Sequence, residues 1–234
     1  MPRRPLLLLV VLSSPALVVW EMSHGFDPAA RRAARTMVHR EGGYVGSEVC
    51  LSCHPGQHAS WKRTFHRTMN QLASPETVLG AFDGERVEFF GDWARPHREE
   101  DRFLMEVPNG DGSRRVAEVA LCVGSRRYQQ YFERVDLPGG SRLERLPLLW
   151  HIGAQRWMHL NGVFLEPDSG DWNAHRNTWN HNCVFCHTTG PQPGMQDGGQ
   201  TTFETTVAEL GIACEACHGP GDKHARAYRN PLLR

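Results

Sequence analysis

The chain carries no excess charge of either sign. Lysine plus arginine number 26, as do aspartate plus glutamate. Nothing in that balance points to a basic nucleic-acid-binding surface, so no nucleic-acid partner is expected. Apolar residues are also scarce, at 40% of 234, below the usual globular share. After the first twenty residues no apolar run is long enough to cross a bilayer. Cysteine is used sparingly: there are 7, and only Cys122, between Leu121 and Val123, stands outside three short motifs. Its apolar neighbours mark it as a small buried hydrophobe. A thin core with 23 glycines and 15 prolines needs another source of stability, such as covalently held cofactors.

What is present falls into five segments. Residues 1–22 read as a signal peptide or membrane anchor, with Arg3 and Arg4 ahead of an apolar stretch from Leu6 to Trp20. Residues 23–43 are polar and arginine-rich, as in a linker. Residues 44–83 hold the first motif, and a helix is expected from Gln57 to about Leu72, with Trp61, Phe65 and Met69 forming an apolar stripe. Residues 84–166 lack a motif and read as an antiparallel β insertion. Val87–Phe90, Arg102–Val107 and Val116–Val119 are strand-like, and Asn109-Gly110-Asp111-Gly112 and Pro138-Gly139-Gly140 are turns. Tyr128–Val135 and Leu148–Leu160 fit strands or short helices. Residues 167–234 hold two further motifs. Thr201 with Glu204 fits a capping box, and a helix from Phe203 to Leu210 is expected. The chain ends without a closing element, as a fragment or a shortened relative would. The fold class expected from these segments is mainly α, with loop-rich motif-bearing segments and the antiparallel β insertion.

The three motifs are Cys50-Leu51-Ser52-Cys53-His54, Cys183-Val184-Phe185-Cys186-His187 and Cys214-Glu215-Ala216-Cys217-His218. The Cys-x-x-Cys-His spacing is that of c-type haem attachment. Each pair of cysteines reaches the two vinyl groups on one porphyrin edge, and the following histidine reaches the iron. The expected cofactors are therefore three covalently attached haem c groups. Zinc ribbons use paired Cys-x-x-Cys sites and leave the recurrent adjacent histidine unexplained. Iron–sulfur clusters use four thiolates at other spacings. An export signal agrees with haem, which is attached outside the cytoplasm.

His54, His187 and His218 are the proximal ligands in this reading. Of 13 histidines, ten remain for the far faces of the irons. His66 lies twelve residues after His54, about 18 Å along a helix, so it would serve a different haem. His224 follows His218 past Gly219-Pro220-Gly221 and is treated in the same way. His66 and His224 rank first, then His181 and His151, with His175 and His159 behind. His24, His39 and His97 sit in polar segments. His58 lies beside its own motif. Met69 is an alternative sixth ligand, although its stripe favours packing.

Tyr44-Val45-Gly46-Ser47, Trp61 and Phe65-His66-Arg67-Thr68-Met69 carry a resemblance, as do Trp179 to His187 and Ala213 to Gly221. These segments resemble multihaem cytochromes related to the tetrahaem electron carrier of ammonia oxidation, many of which are longer and carry tetratricopeptide repeats. The resemblance covers roughly residues 44–224. It implies packed haem pairs, His66 and His224 as distal ligands, and an electron-carrier role. This chain departs in having three motifs and no repeats. The expected function is electron transfer in the periplasm or at the outer membrane face, with a redox protein or quinol-linked donor as partner. The alternative is a haem redox enzyme acting on a small nitrogen or sulfur compound at one open iron, with Tyr128, Tyr131, Arg126 or Arg127 lining that site. A third reading makes the β insertion a docking surface.

Overall fold

The computed structural model describes residues 37–163, 178–196 and 202–229. Its dominant feature is one antiparallel sheet. The strands are β1 (Asn70–Leu72), β2 (Val87–Phe89), β3 (Asp92–Glu99), β4 (Arg102–Pro108), β5 (Arg114–Val123), β6 (Tyr128–Leu137), β7 (Gly140–His151) and β8 (Arg156–His159). They run β2-β3-β4-β5-β6-β7-β8, with β1 paired on β5. The two edges curl toward each other: Phe89 on β2 stacks on His159 of β8 at 4.5 Å between ring centres. The result is a nearly closed barrel, which removes most exposed edge.

Short turns set the register. Phe90 and Gly91 both take positive φ, 47° and 80°, the backbone that a two-residue hairpin between right-twisted strands requires. Pro138-Gly139 closes the β6–β7 hairpin, Leu137 pairing with Gly140. At Gly140 any Cβ would lie 2.9 Å from the Phe203 carbonyl, so only glycine admits that close approach.

Alternation along the strands splits the core in two. Inside the barrel lie Phe82, Met105, Val107, Cys122, Tyr131, Leu146 and Leu148. Phe82 meets Phe103, Tyr131 and Trp157 edge-on at 5.2 to 5.4 Å. Outside it, Leu121, Val123, Phe132 and Leu143 pack with Trp179, Val184 and Val207. The register shifts between Val119 and Leu121, and this bulge turns Leu121 to the outer cluster while Val119 stays in the inner one.

The expected mainly α class is wrong. The described residues are 40% strand and 21% helix. The insertion forms the body, and the helices are short: α1 (Ser47–Leu51), α2 (Pro55–Lys62), α3 (Cys183–His187), α4 (Cys214–His218) and α5 (Asp222–Tyr228). The helix expected over 57–72 ends at Lys62, where Arg63 caps it with bonds to Ser60 and Trp61 carbonyls. Its last residues instead pair as β1 with Val123, Cys122 and Leu121. The expected helix at 203–210 is also absent. Phe203 bridges Ser141 and Met195, Val207 bridges Val38, and Glu209–Leu210 is a strand, β10, paired with β9 (Thr188–Thr189). Pairing with chain already present won over local helix preference. No helix among the described residues is long and apolar enough to cross a membrane; the apolar stretch at 6–20 lies outside them.

Candidate haem-attachment sites

Each motif forms a single helical turn. At the first motif, which runs past the end of α1, the His54 and Cys53 amides both bond the Cys50 carbonyl, at 2.9 and 3.2 Å. The turn puts one cysteine of each motif half-inside and the other at the surface: Cys50, Cys183 and Cys214 are half-buried, and Cys53, Cys186 and Cys217 are exposed.

The first and third motifs are brought together. Trp61 Nε1 donates to the Ile212 carbonyl at 2.9 Å, tying α2 to the approach to α4. Glu209 accepts from the amide and hydroxyl of Ser47, tying β10 to α1. Burial, then Cys214 and Glu215, push the Cys50 thiol up to about 11, so the two motifs sense each other. Burial also raises Cys214.

Two clefts flank this junction. One, of about 420 Å³, is lined by Val49, Cys50, Cys53, His54, His224 and Tyr228 among others. The other, of about 570 Å³, is lined by Cys50, His54, His58, Cys214, His218 and His224 among others. Both fall in the size range of cofactor pockets. The imidazoles of His54 and His224 stand 6.2 Å apart between ring centres, 21° from parallel. Imidazole nitrogens bond metals at about 2 Å, and with about 1.1 Å from nitrogen to ring centre on each side the expected separation is about 6 Å. That spacing is compatible with one iron between the two imidazoles.

The second motif is placed differently. Val184 is fully buried in the outer cluster, with Cys183 against it. Arg145, largely buried, lies beside Cys183. Burial lowers the His187 pKa, favouring the neutral, metal-binding imidazole. Nδ1 of His187 and Nδ1 of His181 are buried without a hydrogen-bond partner, while the His181 ring stacks on Phe203 at 5.6 Å.

The other sequence candidates divide. His66 has an exposed ring, and its carbonyl accepts from Ile212 N at 2.9 Å, beside the third motif's approach. His151 ends β7, where Nδ1 accepts from Ala154 N at 3.1 Å and the ring meets Tyr128 edge-on. His159 caps Asn161 and stacks on Phe89. His39 pairs with Glu41 at 2.6 Å. His24 and His175 lie outside the described residues. Tyr131, proposed for an open site, is wholly inside the barrel with its hydroxyl bonded to Gln129 and Gly80.

His58 was passed over by sequence reasoning. Its side chain is 2% exposed, it lines the larger cleft with His218, and its Nε2 lacks a hydrogen-bond partner, with Glu48 at 3.8 Å. Its position four residues after His54, on the same helical face, was the available signal.

Residues 161–219 match the family described as cytochrome c554 and c-prime. The match supports a c-type cytochrome with covalently bound haem c, and an electron carrier at that coarse level. It spans the second and third motifs; the first lies N-terminal to it. No curated protein and no solved structure matches the chain.

Proposed function

We propose that the chain is a multihaem c-type cytochrome that carries electrons outside the cytoplasm, with one covalent haem c at each of the three motifs. The observation that carries this reading is the pairing of His54 with His224 across a junction that also holds Cys50, Cys214 and His218. Bound haem supplies one-electron chemistry; the protein supplies ligands, burial and local charge that set its potential. Two motifs sharing one junction suit rapid passage of electrons between sites. His54 and His224 are the ligand pair for the first site, and His58 joins His66 as a candidate for the face opposite His218. His181 is the candidate nearest the second motif in sequence. The apolar N-terminal stretch and the location of haem attachment support a periplasmic or extracytoplasmic place, with a redox protein or quinol-linked donor as partner.

The alternative, a redox enzyme acting on a small nitrogen or sulfur compound, draws on Arg145. That buried guanidinium beside Cys183 would favour an anion near the second site. Intact mass of protein matured in a haem c-attaching host tests the haem count, with three expected. Turnover with nitrite, hydroxylamine or sulfite separates the two readings: none is expected of a carrier, and sustained turnover with any of them overturns it.

A further inference from the structure

We propose that Glu215 is a positioning residue: one buried carboxylate, rooted in the third motif, holds His54 and His224 in register and fixes a negative charge beside both motifs. This rests on the ligand reading above.

Glu215 is 4% exposed and occupies a variable position of its motif, so it has no part in attachment. Its Oε1 accepts from Val45 N at 2.9 Å and from Gly221 N at 2.7 Å, and its Oε2 from Gly46 N at 2.7 Å and Val45 N at 3.2 Å. Val45 and Gly46 lead directly into α1, which carries Cys50. Gly221 is the N-cap of α5, which carries His224. One side chain thus grips the flanks of both elements that must face each other. Helices of five and seven residues are too short to hold a direction alone, so their orientation comes from such ties.

A carboxylate suits this cradle. Three backbone donors converge on it and no acceptor does; a carboxylate has about four lone-pair sites, and its bonds to N–H groups are strengthened by charge. Glutamine would turn an NH2 group toward an N–H. A Cβ at Gly221 would approach Glu215 Oε1 to 3.3 Å, and Gly46 holds φ at 85°, so both glycines belong to the cradle. The charge stands beside the first attachment site, since Glu215 lines the larger cleft together with Cys50 and His54. A nearby negative charge favours the oxidised, more positive iron and so lowers its potential.

The test uses haem-loaded protein and three variants: Glu215→Gln, Glu215→Asp and His224→Ala. Each is followed by stepwise redox titration, by the electron paramagnetic resonance of the oxidised protein, and by the carbon monoxide difference spectrum of the reduced protein. His224→Ala identifies the step and the low-spin signal of the paired site. Glu215→Gln is expected to raise that step and shift that signal while leaving a step untouched by His224→Ala in place. Glu215→Asp, which keeps the charge with a shorter reach, is expected to keep the midpoint near the parent value while still shifting the signal. A purely structural role would lower stability without moving one selected step. Parent-like midpoints and signals in Glu215→Gln, with His224→Ala altered, overturn the proposal and leave the ligand reading standing. If His224→Ala also changes nothing, the ligand reading itself fails. Should Glu215→Gln not mature, Glu215→Asp decides: a shifted signal supports the role, and a parent signal overturns it.

Discussion

The barrel and the motif-bearing segments obey different rules. In the barrel, residues are placed by burial: Leu146, Leu148, Met105 and Tyr131 are fully covered by one another, and the Tyr131 hydroxyl has its partners. In the motif segments much is left open by the chain alone. His58, His181 and His187 keep unpartnered buried ring nitrogens, three cysteines face solvent, and two clefts stand at one junction. Buried polar atoms without partners are rare in finished structures. Such atoms occur in the barrel strands as well, at Asn70, Arg114 and Trp150; what sets the motif segments apart is the pair of clefts and the solvent-facing cysteines.

Changes that break this contrast can be ranked. The largest effect is expected from Cys214→Ala with Cys217→Ala, which removes one haem by intact mass and alters the spectrum of the first site across the shared cleft. Loss of one haem with the first site unchanged would dissolve the junction. Next, Phe132→Ala, at a fully buried position on the outer barrel face, is expected to cost about 3–5 kcal/mol of stability in denaturant unfolding. Leu146→Ala inside the barrel is expected to cost about 2–5 kcal/mol and leave every haem signal in place; a changed signal would show that barrel and sites are not separable. Trp61→Phe removes one tie between α2 and the third motif, for about 1 kcal/mol and a small perturbation of the paired site. Smallest is a labelling difference in haem-free protein. Cys53, Cys186 and Cys217 are expected to react quickly with a thiol reagent. Cys122, with its pKa raised by burial inside the barrel, stays unmodified until unfolding.

The sequence marked the three motifs and the strands β2, β4 and β5 because both signals are local; it left Tyr128–Val135 and Leu148–Leu160 open between strand and helix, and β1 and β3 unmarked. Alternation over Arg102–Val107 and the Asn109–Gly112 turn led to β4 and β5. What misled was also local. The spacing of Trp61, Phe65 and Met69 suggested a helix face, yet Phe65 is 49% exposed and the chain leaves the helix at Arg63 to pair with β5. Attention to three motifs made the fold look helical, although each motif contributes one five-residue turn. The pairing of His54 with His224 was illegible in detail, since cross-ligation named no partner. Glu215 was illegible altogether: its donors at Val45 and Gly46 lie about 170 residues away, and only the folded chain brings them together.

The central claim is that His54 and His224 share one iron. Its most direct test is the visible spectrum of the reduced protein before and after carbon monoxide, in the parent and in His224→Ala. The account predicts that the variant gains a carbon monoxide-induced Soret shift worth about one haem in three relative to the parent. Identical difference spectra in the two proteins would contradict it.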